Sequence, residues 1–227
     1  MSADETEKVP GLRQVLRASG SLGRAERLHL AGRLSSAPWA RVVRRLARDG
    51  VSFLDVGCGP GLLAWLLEAR GYAGSYLGVD IDERKVARAK AWVGESPRRA
   101  FRATGVERVG ERGFDQAAIV DVLYLVPRHA RGALVAEVAS RLAEGGLLVV
   151  LTSGGGPRWK RAVDRLQERL AVVLGVTRGA VVEPCDGAEV AALLSAAGLV
   201  DVRVEDAGAG FAHGFELVSG RRRGPSS

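Results

Sequence analysis

The chain is 227 residues long, 47% hydrophobic and 26% charged, with a formal net charge of +7 and two cysteines, Cys58 and Cys185. These proportions belong to a globular protein and exclude collagen-like, disordered and disulfide-framed chains. No apolar run approaches the ~18 residues of a membrane-spanning helix, so no membrane span is expected.

One domain is the natural size for such a chain, enough to bury about 70% of its unfolded surface. The first residues, 1–8, are polar and acidic and lack the basic-then-apolar plan of a secretory leader, so a cytoplasmic location is expected. The positive charge raises the question of nucleic acid. Of 33 basic residues 29 are arginine, and arginine runs occur only at Arg44-Arg45, Arg98-Arg99 and Arg221-Arg222-Arg223. In a chain rich in Ala, Gly, Leu and Val, that scatter fits composition bias better than a phosphate-binding face. Nucleic acid is disfavoured as a partner.

In chain order, residues 1–10 are expected to be disordered. Residues 11–49 read as mostly helical, because Leu12, Val15 and Leu16, then Trp39, Val42, Val43 and Leu46, recur at helical spacing. Ser35-Ser36-Ala37-Pro38 interrupts the pattern, and Pro38 suits a helix start. This helical cover precedes the first core strand and is expected to pack over the ligand site. Strands and helices then alternate: strand 51–56, helix 62–70, strand 75–79 ending at Asp80, helix 83–93, a weak strand 100–104, strand 116–120 and helix 129–143. Gly145-Gly146 turns into a fifth strand, 147–152. An additional helix is expected at 158–174, with Trp159, Val163, Leu166 and Leu170 on one apolar face. A helix at 189–197, stopped by Gly198, precedes strands 199–204 and 215–219.

Such alternation implies an α/β fold with a parallel sheet covered by helices on both faces. Two closing strands without a helix between them must be antiparallel neighbours. The 157–179 insertion follows the carboxyl end of a strand, where ligands bind in open α/β sheets, and is expected to be a helical lid. Residues 11–220 thus read as one domain, and 221–227 as a basic flexible tail.

The most informative run is Phe53-Leu54-Asp55-Val56-Gly57-Cys58-Gly59-Pro60-Gly61. An apolar strand turns there through three glycines into a helix at Leu62, which brings backbone N–H groups up to a ligand. The spacing departs from the dinucleotide fingerprint, whose third glycine would fall at Leu62. Asp55, just ahead of the first glycine, would repel a pyrophosphate and suits a ligand with a cationic end. An NAD enzyme is therefore disfavoured. The segment resembles motif I of the class I S-adenosylmethionine-dependent methyltransferases. Leu77-Gly78-Val79-Asp80-Ile81-Asp82 resembles their motif II, and Ala118-Ile119-Val120-Asp121-Val122-Leu123-Tyr124 their motif IV.

The resemblance implies a Rossmann-like sheet of seven strands, mostly parallel with the last strand reversed, and S-adenosylmethionine as cofactor. It implies cofactor contacts from Asp55, Gly57, Cys58, Gly59 and Gly61, from Asp80 and Ile81, from Gly105 and Val106, and from Asp121. Asp80, 19 residues after Gly61, is placed to accept hydrogen bonds from ribose hydroxyls, whereas Asp82 reads as a helix N-cap. Cys58 reads as a small residue in a tight turn rather than a thiolate nucleophile. Many relatives carry an acid after the third strand that meets the adenine amino group. Ala103-Thr104-Gly105-Val106-Glu107 has no Asp in register, so backbone, Thr104 or Val106 is expected in that role.

The sulfonium already activates the methyl group, so the protein must align a nucleophile and exclude water, with a general base for some acceptors. His129, Asp121 and Tyr124 are the catalytic candidates. His29 in the cover, with Trp159 and Lys160 in the lid, are candidates for binding the acceptor, and His213 is a further histidine near the last strand. For each histidine the alternative is an ordinary exposed or packed side chain. No set of ligands has metal spacing, so no metal is expected. The absence of an Asn-Pro-Pro-Tyr run after the fourth strand argues against amino-methylation of adenine or glutamine. Asp121-Val122-Leu123-Tyr124 resembles methyltransferases that act on small molecules and lipids. Pro157-Arg158-Trp159-Lys160, with Gln167-Glu168 and Leu174-Gly175-Val176-Thr177-Arg178-Gly179, resembles a bacterial subgroup of them in lipid-like or polyketide-type secondary metabolism. Thr152-Ser153-Gly154-Gly155-Gly156 departs from that subgroup, which carries acids there. The expected function is methyl transfer to a small, apolar metabolite, most simply at oxygen. The alternatives are a nucleic-acid methyltransferase and a non-catalytic S-adenosylmethionine-binding protein.

Overall fold

The computed structural model describes residues 11–46, 50–153, 183–211 and 214–224, the side chain of His29 excepted. The expected disordered start and the expected lid lie outside these residues.

The N-terminal cover is helical as expected, in three pieces: α1 (Leu12–Ala18), α2 (Arg24–Ser36) and α3 (Trp39–Leu46). Directly after Pro38, α3 buries Trp39, Val42, Val43 and Leu46, the single face that their helical spacing predicts. The alternation that follows gives β1 (Phe53–Val56), α4 (Leu62–Glu68), β2 (Tyr76–Asp80), α5 (Glu83–Trp92) and β3 (Arg99–Ala103). It continues with β4 (Phe114–Val120), α6 (Arg128–Arg141) and β5 (Leu142–Ser153). The last elements are α7 (Gly187–Ala196), β6 (Leu199–Asp206) and β7 (Phe215–Arg222).

These strands form one seven-stranded sheet in the order β3-β2-β1-β4-β5-β7-β6. Neighbours among β1 to β5 run parallel, and β7 is antiparallel to both β5 and β6. The reversal follows from the short connection after Asp206, which has no room for a crossover helix. Gly198, at φ 81°, ends α7 in the left-handed conformation that glycine adopts freely.

Strand periodicity divides the core. Phe53 packs on one face with α3 and α4 residues such as Val43, Leu63 and Leu67, whereas Leu54 and Val56 pack on the other with Val135, Val138, Val190 and Leu194 of α6 and α7. Asp55 therefore shares the Phe53 face, the one beneath the N-terminal cover.

Two expectations are corrected. The fifth strand begins at Leu142, ahead of the Gly145-Gly146 pair, because Leu142 already pairs with Phe114 before the register shifts to Gln116↔Leu147. The glycines bulge out of the ladder rather than precede it. The C-terminal tail also starts later than residue 221. Arg221 pairs with Leu147 and Val200, and Arg222 with Leu199, so both belong to β7.

Arg131 is wholly buried and fastens the segment that leads into α7. Its guanidinium donates to the carbonyls of Val126 (3.0 Å), Glu183 (2.6 Å) and Pro184 (3.2 Å) and to Glu189 Oε1 (2.9 Å). Thr152 Oγ1 donates to the Cys185 carbonyl, and Glu183 N to the Tyr124 carbonyl at 3.1 Å. Residues 183–185 are thereby fixed beside the turn that follows β4. Among the described residues no helix is long and apolar enough to cross a membrane.

Candidate functional site

The connections run from β1 to β2 on one side and to β4 on the other, so the crevice at the carboxyl ends of β1 and β4 is a topological switch point. The glycine loop lies there. Gly57 has φ 75° and Gly61 φ 82°, both in the left-handed region. A Cβ on Gly57 would also stand 2.4 Å from Val122 Cγ2, so the loop can pass beneath the turn after β4 only as glycine.

The end of β2 holds the loop. The Val79 carbonyl accepts from Gly57 N at 2.8 Å and Cys58 N at 3.0 Å. The Asp80 carboxylate accepts from Gly59 N through Oδ2 and from Asp82 N through Oδ1, both at 2.9 Å. Asp82 itself caps α5, accepting from Arg84 N at 2.9 Å and Lys85 N at 3.3 Å, as expected for an N-cap. The two neighbouring acids thus separate. Asp82→Ala is expected to cost about 1 kcal/mol of stability in a urea melt while changing affinity for S-adenosylhomocysteine by less than about threefold.

Asp55 is buried and accepts a 2.5 Å hydrogen bond from Tyr76 Oη. Burial raises its pKa to about 7; the Tyr76 hydrogen bond pulls it down, the nearby Asp80 charge pushes it up and the Arg33 charge lowers it. Burial, with Asp55 and Asp80 close by, pushes the Cys58 thiol far up. A thiol so placed holds its proton, which disfavours the thiolate that a nucleophile requires.

Asp121 follows β4 with φ 60°, uncommon for a residue with a side chain. Its carboxylate meets Arg33 Nη2 of α2 at 3.2 Å, and its N–H donates to the Leu151 carbonyl at 3.1 Å. Thr104 N donates to the Asp80 carbonyl at 2.9 Å, which brings the Gly105–Val106 turn next to Asp80. The Val106 side chain is buried in the core shared with Leu77 and Val79. Ile81 is 82% exposed beside Asp80, an apolar surface open to a flat ring.

The structure therefore brings together Asp55, the glycine loop, Asp80, Ile81, the Gly105–Val106 turn and Asp121. Tyr124 is three residues beyond Asp121, half-buried in a short 3-10 turn (Leu123–Leu125). His129 is exposed in the first turn of α6. His29 lies on the cover helix α2, whereas Trp159, Lys160 and His213 fall outside the described residues. Among the described residues no group of three or more His, Cys, Asp or Glu side chains could hold a metal ion.

Sequence reasoning missed Arg33 and Tyr76. A signal for Arg33 exists: it stands three residues after Leu30 and one before Leu34, on the helix face that Leu30 buries. Tyr76 has no comparable signal, because an aromatic at a strand start is ordinary core material.

A family model described as a methyltransferase domain matches residues 30–204. The chain belongs to the class I S-adenosylmethionine-dependent methyltransferase family. The family uses S-adenosylmethionine as methyl donor. Solved methyltransferases share the fold. An S-adenosylmethionine-dependent methyltransferase from Mesorhizobium loti is 22% identical, with 83% of this chain and all of that one (100%) covered and a TM-score of 0.63. One from Methanosarcina mazei is 17% identical over 81% of this chain and 97% of its own, with a TM-score of 0.61. Magnesium protoporphyrin IX methyltransferase from Synechocystis PCC 6803, solved with bound S-adenosylmethionine, is 17% identical over 95% and 85% of the two chains, with a TM-score of 0.57. No curated protein matches the chain. The methyltransferase domain's first matched residue, Leu30, lies within α2, so the match takes in the second half of the helical cover.

Proposed function

We propose that the protein transfers the methyl group of S-adenosylmethionine to an oxygen of a small, apolar metabolite. The observation that carries this reading is the bracketing of the glycine loop by Asp80 on β2 and Asp121 after β4, at the switch point of the sheet. In this reading Asp80 holds the ribose hydroxyls, Ile81 and the Gly105–Val106 turn flank the adenine, and Asp55 with the glycine loop receives the methionyl arm. The bound cofactor supplies an activated methyl group. The chain then has to place an acceptor oxygen in line with it and keep water out. Asp121, Tyr124 and His129 are the polar side chains on the β4 side for that task, with His29, Trp159 and Lys160 as further acceptor contacts.

The distribution of arginine supports a small acceptor over a nucleic acid. Arg98 and Arg99 stand at the start of β3, an edge strand, and Arg99 is spent on the carbonyls of Val93 and Gly94 and on Glu68. Arg221 and Arg222 end β7, at the amino ends of the parallel strands, and donate to the carbonyls of Gly145, Ser140 and Leu142. Arg44 and Arg45 line a cleft of about 370 Å³ with the acidic Glu205 and Asp206. A continuous basic face beside the site, which a nucleic acid would need, does not assemble from these runs.

The test is label transfer from S-adenosyl-[methyl-³H]methionine to a pool of hydroxylated aromatics and long-chain carboxylic acids, with total RNA in a parallel reaction. Label in the organic extract is the expected result. Label in acid-insoluble RNA would overturn the acceptor class. Tight S-adenosylhomocysteine binding without transfer to any acceptor would favour the non-catalytic reading.

A further inference from the structure

Among the described residues β6 is an outer strand of the sheet, paired with β7 along one side. Two contacts fix how its backbone alternates. Ala207 N donates to the Phe215 carbonyl at 2.8 Å, so residues 207, 205 and 203 turn their N–H and C=O groups toward β7. Val204 and Asp206 turn theirs outward, and Arg41 Nη1 reaches the Asp206 carbonyl at 2.5 Å. The side chains alternate as well. Arg203 and Glu205 stand opposite Ser219 and Leu217, on the face beneath α3, and Val204 stands opposite Val218, on the face that packs with α7. All three are exposed, the apolar Val204 at 46%.

An edge of this kind is a template for a further strand, and a second copy of this chain fits it. Two β6 edges related by a two-fold axis run antiparallel, and only residues whose backbones face the same way can stand opposite each other. Charge then separates the registers. An axis at Arg203 sets that residue against itself, and an axis at Glu205 sets two carboxylates face to face. An axis at Val204 sets Arg203 opposite Glu205 twice. In that register the two Val204 residues form a hydrogen-bonded pair, each N–H donating to the other carbonyl. Arg203 and Glu205 then occupy the non-hydrogen-bonded positions, where opposed side chains come closest. Centres farther back are blocked by the bulge at Asp201, which has φ 53° and shifts the register with β7 between Val200 and Arg203. Both ions are available. Arg203 has no partner among the described residues, and Arg45 meets Glu205 through Oε1 alone, at 3.2 Å.

We propose that the protein forms a two-fold dimer through β6, centred on Val204, with Arg203 of each copy paired to Glu205 of the other. The two seven-stranded sheets become one continuous sheet, and Val204 of each copy covers that of its mate. β5 and β7 separate this edge from β4, so the crevice at the carboxyl ends of β1 and β4 stays open in both copies. The dimer stands independently of the reaction proposed above.

The test is sedimentation equilibrium on the full chain and on two charge reversals, Arg203→Glu and Glu205→Arg. The native mass is expected to rise from that of one chain, 24.0 kDa, toward twice that value between about 5 and 500 µM, the range of a small interface. Each reversal turns two attractive pairs into two repulsive ones and should weaken association by about 30-fold or more. Arg203 is exposed and unpaired within its own chain, so Arg203→Glu leaves the fold intact. An equimolar mixture of the two variants restores opposite charges at both positions and should dimerise like the native protein. A lost structural contact inside either chain would not recover on mixing. A native protein that stays at one chain mass throughout would overturn the proposal. So would a dimer unaffected by either reversal, or a mixture that fails to recover association.

Discussion

Asp80→Ala is expected to lower affinity for S-adenosylhomocysteine by about 100-fold or more, the largest effect of any single change in the site. Two separate losses add up to it. The carboxylate accepts from Gly59 N and Asp82 N, so its removal leaves the glycine loop without the acceptor that shapes it. The proposed contacts to the ribose hydroxyls go with it, and a hydrogen bond to a charged group is worth about 1.5–3 kcal/mol. Asp80→Asn keeps one acceptor oxygen and should fall between the two. In a thermal melt the native protein at ~100 times the ligand's dissociation constant should gain about 2.7 kcal/mol, and Asp80→Ala should gain no more than about 0.4 kcal/mol at the same concentration. NAD should stabilise neither. A native-like shift in Asp80→Ala would remove Asp80 from the site.

Asp55→Asn is expected to stabilise the ligand-free protein at pH 8.5 and to leave it unchanged at pH 3. Unfolded, the Asp55 carboxyl ionises near its model value of 3.8; folded, burial holds the proton until about pH 7. Between those values the native state binds the extra proton. The stability that protonated Asp55 contributes is therefore full below the lower value and is lost as pH rises through the upper one. Above it the fold carries a buried, ionised carboxylate whose cost is on the order of 4 kcal/mol. Asparagine accepts the Tyr76 hydroxyl and never ionises, so urea melts at the two pH values isolate the difference. A gain of equal size at both would show that packing, not charge, is at work. The same carboxylate should assist a cationic ligand, so Asp55→Asn should also weaken S-adenosylmethionine binding at pH 8.5. A site that costs stability when empty and recovers it when filled is a common compromise in functional crevices.

Much of this was legible from residue order. The alternation of apolar runs and turn residues placed each strand of the sheet, because whether a side chain meets core or water depends on its period along the chain. The glycines of the loop were legible because Gly57 and Gly61 need a backbone conformation that side chains resist. Asp82 could be told from Asp80 because a cap is a local device, completed by Arg84 N and Lys85 N. The fifth strand was misjudged for the converse reason. Two glycines look like a turn, yet pairing of Leu142 with Phe114 across the sheet carries the strand past them. The arginines at the end of β7 looked like a tail until Leu147, Val200 and Leu199 supplied them with partners.

By itself, then, the amino-acid sequence determined the fold class, the strand-to-helix glycine loop and the acid at the end of β2, since each is written in neighbouring residues. Only the tertiary structure decided that Arg33 meets Asp121, that Tyr76 donates to Asp55 and that a buried Arg131 gathers the carbonyls of Glu183 and Pro184. Those contacts join residues far apart in the chain. Local periodicity says which face a residue turns inward, whereas its partner there depends on strand order and on how the cover helices settle over the sheet.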